Sequence, residues 1–325
     1  MSQLHKFLFE GLPVRGALVQ LTEVWQELLA RRAQDPESGA YPPPVRQLLG
    51  EMTAAAVLMQ STIKFNGALI LQIMGDGPVK LAVAEVQADL GLRATAKVIG
   101  PVQAQDTMTT LVNVGGQARC AITLDPRQRQ PGQQPYQGVV SLNRDDQRPL
   151  TQLSDALAQY MWRSEQLDTT LVLAANDERA AGLLIQRMPS LGEGNLAQAG
   201  EAQAQDRLGH NEDYQRLAIL AQSLKQEELL TLDADTVLRR LFWEESVRRF
   251  EPQYPRFQCS CGREKVGTML RSLGLAEAQD ILAEQGQVSV ACDFCGQQYV
   301  FDAVDVGALF HPDGGGTAPA SLQLT

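Results

Sequence analysis

Four of the five cysteines in this 325-residue chain fall in its last quarter, as Cys259-Ser260-Cys261 and, thirty residues later, Cys292-Asp293-Phe294-Cys295. Two thiolates this close in sequence can reach one ion, and two such pairs supply the four sulfurs of a tetrahedral zinc site. The first pair is C-x-C, where zinc ribbons and knuckles usually carry C-x-x-C. Pairs at this spacing can also close on themselves as disulfides, so the set reads as a metal centre able to double as a thiol switch. The plainer reading of any four-cysteine site is a structural staple. Both readings constrain folding in the same way. A module spanning only residues 257–310 has too little core to be stable unaided, whereas structural zinc supplies roughly 10–16 kcal/mol of apparent folding energy. Removing the metal should unfold it.

Composition narrows the remaining classes. The length favours two domains and a connector. No apolar run approaches the ~20 residues that span a bilayer, so no membrane role is expected. Met1 to Leu12 lacks a basic segment followed by an apolar one and does not read as a secretory signal. Cysteines at metal-ligand spacing point to a reducing cytosol and a cytoplasmic protein rather than a disulfide scaffold. The net charge of −10 is unevenly placed. Residues 1–190 carry 17 basic and 18 acidic side chains, and residues 191–325 carry 11 and 20. The cysteine-bearing half is thus the acidic one, which argues against nucleic acid as a partner, because phosphate neutralisation drives that affinity.

The periodicity predicts an α+β fold: an N-terminal core of β-hairpins and sheets with flanking helices (residues 1–190), a metastable, mainly helical linker (191–255), a small zinc-binding domain (256–310) and a tail (311–325). Leu18, Leu21, Trp25, Leu28 and Leu29 fit one amphipathic helix. After a Pro- and Gly-rich loop (Asp35 to Pro44), Val45, Leu48, Leu49, Met52, Ala55, Ala56 and Met59 fit a second. Leu69, Leu71 and Ile73 precede the turn Gly75-Asp76-Gly77-Pro78, and Val79, Leu81 and Val83 follow it, as in a β-hairpin. Strands are predicted at Arg93 to Ile99, Thr109 to Val114, Arg119 to Leu124, Gln137 to Leu142, Thr169 to Ala174 and Ala181 to Met188, with a helix at Leu150 to Glu165. Gly192 to Gly209, rich in Gly, Ala, Gln and acid, reads as a mobile connector. Asn211 to Phe250 reads as helical, with Leu217, Leu220, Leu224, Leu238, Leu241 and Phe242 on apolar stripes that must pack on something.

Other candidates carry less. Cys120 has no cysteine partner nearby and reads as a buried, inert thiol on a strand. His311 lies close to the module in sequence, but four sulfurs already fill a shell. His5 and His210 have no visible catalytic partner. Gly115-Gly116-Gln117 matches the tripeptide of translation release factors, yet between two alternating strands it reads as a hairpin turn. Gly75-Asp76-Gly77 lacks the Lys-Ser/Thr of a phosphate loop. No Ser/His/Asp set or carboxylate pair stands out, so no catalytic residue is assigned and no enzyme is expected.

Cys259-Ser260-Cys261-Gly262-Arg263-Glu264, Asp280-Ile281-Leu282-Ala283-Glu284 and Cys292-Asp293-Phe294-Cys295-Gly296 closely resemble the redox-switch domain of the bacterial thirty-three-kilodalton heat-shock protein family, which comprises redox-regulated holdase chaperones. Arg15-Gly16, Lys64-Phe65-Asn66-Gly67, Gly75-Asp76-Gly77-Pro78, Tyr136-Gln137-Gly138-Val139-Val140 and Arg163-Ser164-Glu165-Gln166-Leu167 resemble the family's core landmarks. Glu227-Glu228-Leu229-Leu230 and Arg240-Leu241-Phe242 resemble its connector. The likeness covers roughly residues 4–310.

The resemblance implies one zinc per reduced chain, held by Cys259, Cys261, Cys292 and Cys295, in an inactive protein. It implies that oxidants such as peroxide with heat, or hypochlorous acid, pair Cys259 with Cys261 and Cys292 with Cys295 and release the metal. The connector then loses its docking surface and melts. Unfolded or oxidatively damaged client proteins are held without ATP, with Leu217, Leu220, Leu224, Leu238 and Leu241 as candidate contact residues. A homodimer is left open for the oxidised form. Two other classes stay in view. One is a binding or regulatory protein with a purely structural zinc ribbon, which the acidic half disfavours. The other is a thiol-disulfide oxidoreductase using Cys292 and Cys295, which would need a βαβ setting, whereas Val288-Ser289-Val290 alternate just upstream.

Overall fold

In the computed structural model, residues 1–34, 39–128, 132, 134–188 and 212–310 are described here. They fall into two compact units, divided between Cys259 and Ser260. The class is α+β, as the sequence predicts. The connector expected at Gly192 to Gly209, the tail, His210 and His311 lie outside the described residues.

The first unit is built on two sheets and one buried helix. The first sheet has the order β10-β1-β2-β9-β8, from β1 (Gln3–Phe9), β2 (Val14–Leu21), β8 (Thr169–Ala175), β9 (Ala180–Arg187) and β10 (Val247–Arg249). The second has the order β11-β5-β4-β3-β6-β7, from β3 (Gly67–Met74), β4 (Val79–Gln87), β5 (Gly91–Val98), β6 (Arg119–Pro126), β7 (Tyr136–Ser141) and β11 (Arg256–Phe257). Within them every pairing is antiparallel except that of β11 with β5. Helix α2 (Pro43–Thr62) enters on prolines, whose fixed φ suits a first helical turn, and packs on strands of both sheets. Its residues Ala54 to Gln60 are buried without interruption, as expected of a helix covered all round.

The hairpin at Gly75 to Pro78 forms, with Leu71 opposite Ala84 and Ile73 opposite Ala82. Three expectations are corrected. Leu18 and Leu21 lie on β2, and the first helix, α1, runs only from Glu23 to Ala33. Strand β2 is buried on both faces, so its apolar residues do not alternate and mimic a helical stripe. Thr109 to Val114 is not a strand: Met108–Val112 forms the short helix α3, closed by a capping box between Thr107 and Thr110. Gly115 to Gln117 therefore joins a helix to β6 rather than turning a hairpin, and its Gln117 N–H donates to Asp76 Oδ2 at 2.8 Å. The remaining strands and α4 (Leu153–Glu165) lie within a few residues of their expected places.

The segment after the undescribed stretch folds as α5 (Glu212–Gln222), α6 (Gln226–Thr231) and α7 (Ala234–Phe242). It departs from the expected helix at its end, where Val247–Arg249 adds β10 to the edge of β1. The three helices lie on the face of the first sheet opposite α2. Phe7, Phe9, Val14, Leu18, Leu183 and Ile185 there meet Tyr214, Leu217, Leu224, Leu229, Leu238 and Phe242 in one apolar cluster. Gly16 makes room for it, because a Cβ at that position would lie 2.2 Å from the Phe7 ring.

The second unit holds α8 (Arg263–Leu273), α9 (Leu275–Gln285), the hairpin β12 (Val288–Ala291) and β13 (Gln298–Phe301), and α10 (Ala303–Phe310). Among its described residues the buried apolar cluster is Leu270, Ala278, Val288, Phe301 and Val306.

Candidate metal centre

Cys259 and Cys261 lie on the loop that leads into α8, and Cys292 and Cys295 on the turn between β12 and β13. That turn is a tight knuckle. The Cys292 N–H donates to Gln297 O at 3.0 Å, while the amides of Cys295 and Gly296 both donate to Cys292 O, at 3.3 and 2.8 Å. Gly296 sits at φ +70°, where a side chain would be strained.

The four Sγ atoms all lie within 4.8 Å of one another, and Cys261 Sγ is 3.4 Å from Cys295 Sγ. A tetrahedral site with bonds of about 2.3 Å places its sulfurs about 3.8 Å apart, so four sulfurs at these separations fit a single thiolate-preferring ion. None of the four, nor Cys120, is joined in a disulfide. Among the described residues no other group of His, Cys, Asp and Glu is arranged to hold a metal.

Two side chains around the sulfurs would have been hard to pick from sequence. The Tyr299 hydroxyl donates to Cys261 Sγ at 3.2 Å, and that hydrogen bond holds its phenol pKa up at about 12, so the donor keeps its proton at neutral pH. Arg93 Nη1 donates to Cys259 Sγ at 3.7 Å while the same guanidinium pairs with Glu85 at 2.6 Å. The cross-strand register explains the second contact, since Glu85 of β4 stands opposite Arg93 of β5. Each directs a polar hydrogen at a cysteine sulfur. An alternating strand with one charge on each partner carries no cysteine motif, so only the fold discloses Arg93.

Of the candidate contact leucines, Leu217, Leu224, Leu238 and Leu241 are buried in the apolar cluster beneath α5 to α7, and Leu220 is partly buried against it. Cys120 is fully buried on β6, and loss of solvation pushes its thiol up to about 12. It should therefore resist iodoacetamide in the folded protein even when the other four cysteines are labelled, and peptide mapping after alkylation checks this. Modification of Cys120 at the rate of Cys259 would mean that β6 opens readily.

Among the described residues no helix is long and apolar enough to cross a membrane. The family model described as Hsp33 protein matches residues 2–302. The chain is 46% identical over 312 residues to the 33 kDa chaperonin of Chromobacterium violaceum, covering 96% of this chain and 95% of that protein. It is 42% identical over 310 residues to the 33 kDa chaperonin of Methylobacillus flagellatus, with 95% and 94% covered. Among solved structures, it is similar to the 33 kDa chaperonin (heat shock protein 33 homolog) of Thermotoga maritima, with a TM-score of 0.71 and 21% identity over 96% of this chain and 99% of that one. At that identity the last likeness bears on fold alone.

Proposed function

This chain belongs to the Hsp33 protein family, a family of chaperones and not of enzymes, and we propose that it is a cytoplasmic, redox-regulated holdase that works without ATP. The observation that carries this reading is the four-sulfur cluster, three of whose cysteines belong to a unit with a buried apolar cluster of five residues among those described. The residues proposed to hold zinc are Cys259, Cys261, Cys292 and Cys295. Zinc, when bound to them, supplies cross-linking that a core of this size cannot replace.

The switch follows from thiolate chemistry. Peroxide or hypochlorous acid takes two electrons from each cysteine pair. One thiolate of a pair attacks the oxidant and its partner displaces the product, closing a Cys259–Cys261 or a Cys292–Cys295 disulfide. The oxidant leaves as water, or as chloride with water. Disulfide sulfurs carry no negative charge and donate poorly, so the ligand set is lost and the unit loses its main source of stability. Oxidation also removes the negative charge that Arg93 meets at Cys259.

The apolar face of α5 to α7 would then serve unfolding clients, with Leu217, Leu220, Leu224, Leu238 and Leu241 among the contacts. Burial of these residues in the reduced form favours that reading, because a surface hidden until activation does not bind clients constitutively. The test is light scattering from a thermally unfolding client protein. Reduced protein, containing one zinc per chain by elemental analysis, should leave aggregation unchanged. Oxidised protein, depleted of zinc, should suppress it near stoichiometric ratio without nucleotide. Equal suppression by both forms would refute the switch.

A further inference from the structure

The first unit contains a cavity of about 310 Å³ remote in role from the cysteines. Met59 at the end of α2, Leu69, Ile122 and Leu124 of the second sheet, Met161 of α4 and Leu167 form its apolar wall. Two charged side chains reach it, and they differ. Glu165 lies at the exposed rim, and the hydroxyls of Tyr136 and Tyr160 donate to its Oε1 at 3.2 and 3.1 Å. Arg15 is half-buried, and its Nε and Nη2 both donate to Gln186 Oε1. Gln186 is fully buried and passes its own donor to Thr169 Oγ1 at 2.8 Å. Every partner in this chain is neutral. Among the described residues no carboxylate pairs with Arg15, and burial pulls the guanidinium's pKa down.

A cation withdrawn from water without a counter-charge costs stability unless something compensates it. Here it borders a cavity at the small end of the ligand-pocket range of roughly 300–1,000 Å³. We propose that this cavity binds a small monoanionic amphiphile, a medium-chain carboxylate, with its headgroup on Arg15 and its chain among the aliphatic walls. Guanidinium and carboxylate match in geometry as well as charge. Glu165 at the rim disfavours a second anionic end, so a monocarboxylate fits better than a dicarboxylate.

The test uses the reduced, full-length, zinc-loaded protein and three probes that share an eight-carbon chain: octanoate, octanol and octyltrimethylammonium. Calorimetry measures affinity, and methyl NMR with labelled methionine locates the site through Met59 and Met161. Octanoate should bind saturably, shift both methyls, and outbind the other two probes by about tenfold or more. Affinity should rise up to about fourfold per added methylene from hexanoate to octanoate. Arg15→Gln should lose the advantage of octanoate over octanol, and Arg15→Lys should keep part of it. The three-probe comparison on the unaltered protein decides the matter even if a variant misfolds. Absence of saturable binding, equal affinity for octanol, or shifts that spare Met59 and Met161 would overturn the proposal.

Discussion

Peroxide treatment at a mildly denaturing temperature should collapse amide-exchange protection across residues 212–310 while β3, β4 and β6 keep theirs. The two parts differ in what holds them. The central strands of the second sheet are paired on both sides and carry the fully buried Leu71, Ile73 and Val86, so their opening approaches global unfolding, about 5–15 kcal/mol. Among its described residues the second unit gathers five buried apolar side chains in one cluster, and loss of the thiolate ligands removes a contribution comparable to the whole stability of a typical domain. Helices α5, α6 and α7 are 11, 6 and 9 residues long. Isolated helices below about 12–15 residues are marginal in water, so these persist only while docked. Downstream they are anchored by edge strands of three and two residues, β10 and β11. Arg256 pairs with Asp89 at 2.6 Å and Arg31 stacks 4.4 Å over Phe257, and both contacts sit where Cys259 loses its charge. Exchange followed by mass spectrometry resolves the regions. Full protection in 212–242 after complete oxidation and metal loss would separate the helices from the switch.

How much of this was legible in sequence depends on whether the signal is local. The cysteine pairs announce their shared site because two ligands per pair are adjacent, and only the closure of the two pairs needed the fold. The hairpin at Gly75 to Pro78 and the buried stripe of α2 read directly, since turn chemistry and period are local too. Leu18 and Leu21 misled for a physical reason. Leu18 faces the cluster beneath α5 to α7 while Leu21 faces the main core, and a strand buried on both sides has no polar alternate. Val247–Arg249 shows only one apolar residue in three, and its strand identity comes from the free edge of β1. The sequence shows that the helices after residue 211 need a docking surface. It does not show which surface, because Phe7 and Phe9 precede them by more than two hundred residues.

Phe242→Ala should produce a chaperone that no longer needs an oxidant. Phe242 is 2% exposed, with its ring 5.0 Å from Phe9 in edge-on contact and 6.2 Å from Phe7. Deleting a buried phenylalanine costs about 3–5 kcal/mol, and here the loss falls on docking rather than on the main core, which α2 and the second sheet hold separately. Helix α7 has one side-chain cap, Asp233 accepting from the Thr236 amide at 2.9 Å, worth about 1 kcal/mol. That is too little to retain the helix once its anchor is gone. The reduced variant should therefore keep its zinc, show proteolytic cleavage within residues 212–242, and suppress client aggregation substantially without peroxide. Ile219, on the same run of helices but 67% exposed, supplies the control: Ile219→Ala should leave the reduced protein inactive and intact. A Phe242→Ala protein that is cleaved in this segment, retains zinc and still fails to hold clients would show that the hidden apolar face is not the client surface. Client binding would then have to be sought on the core.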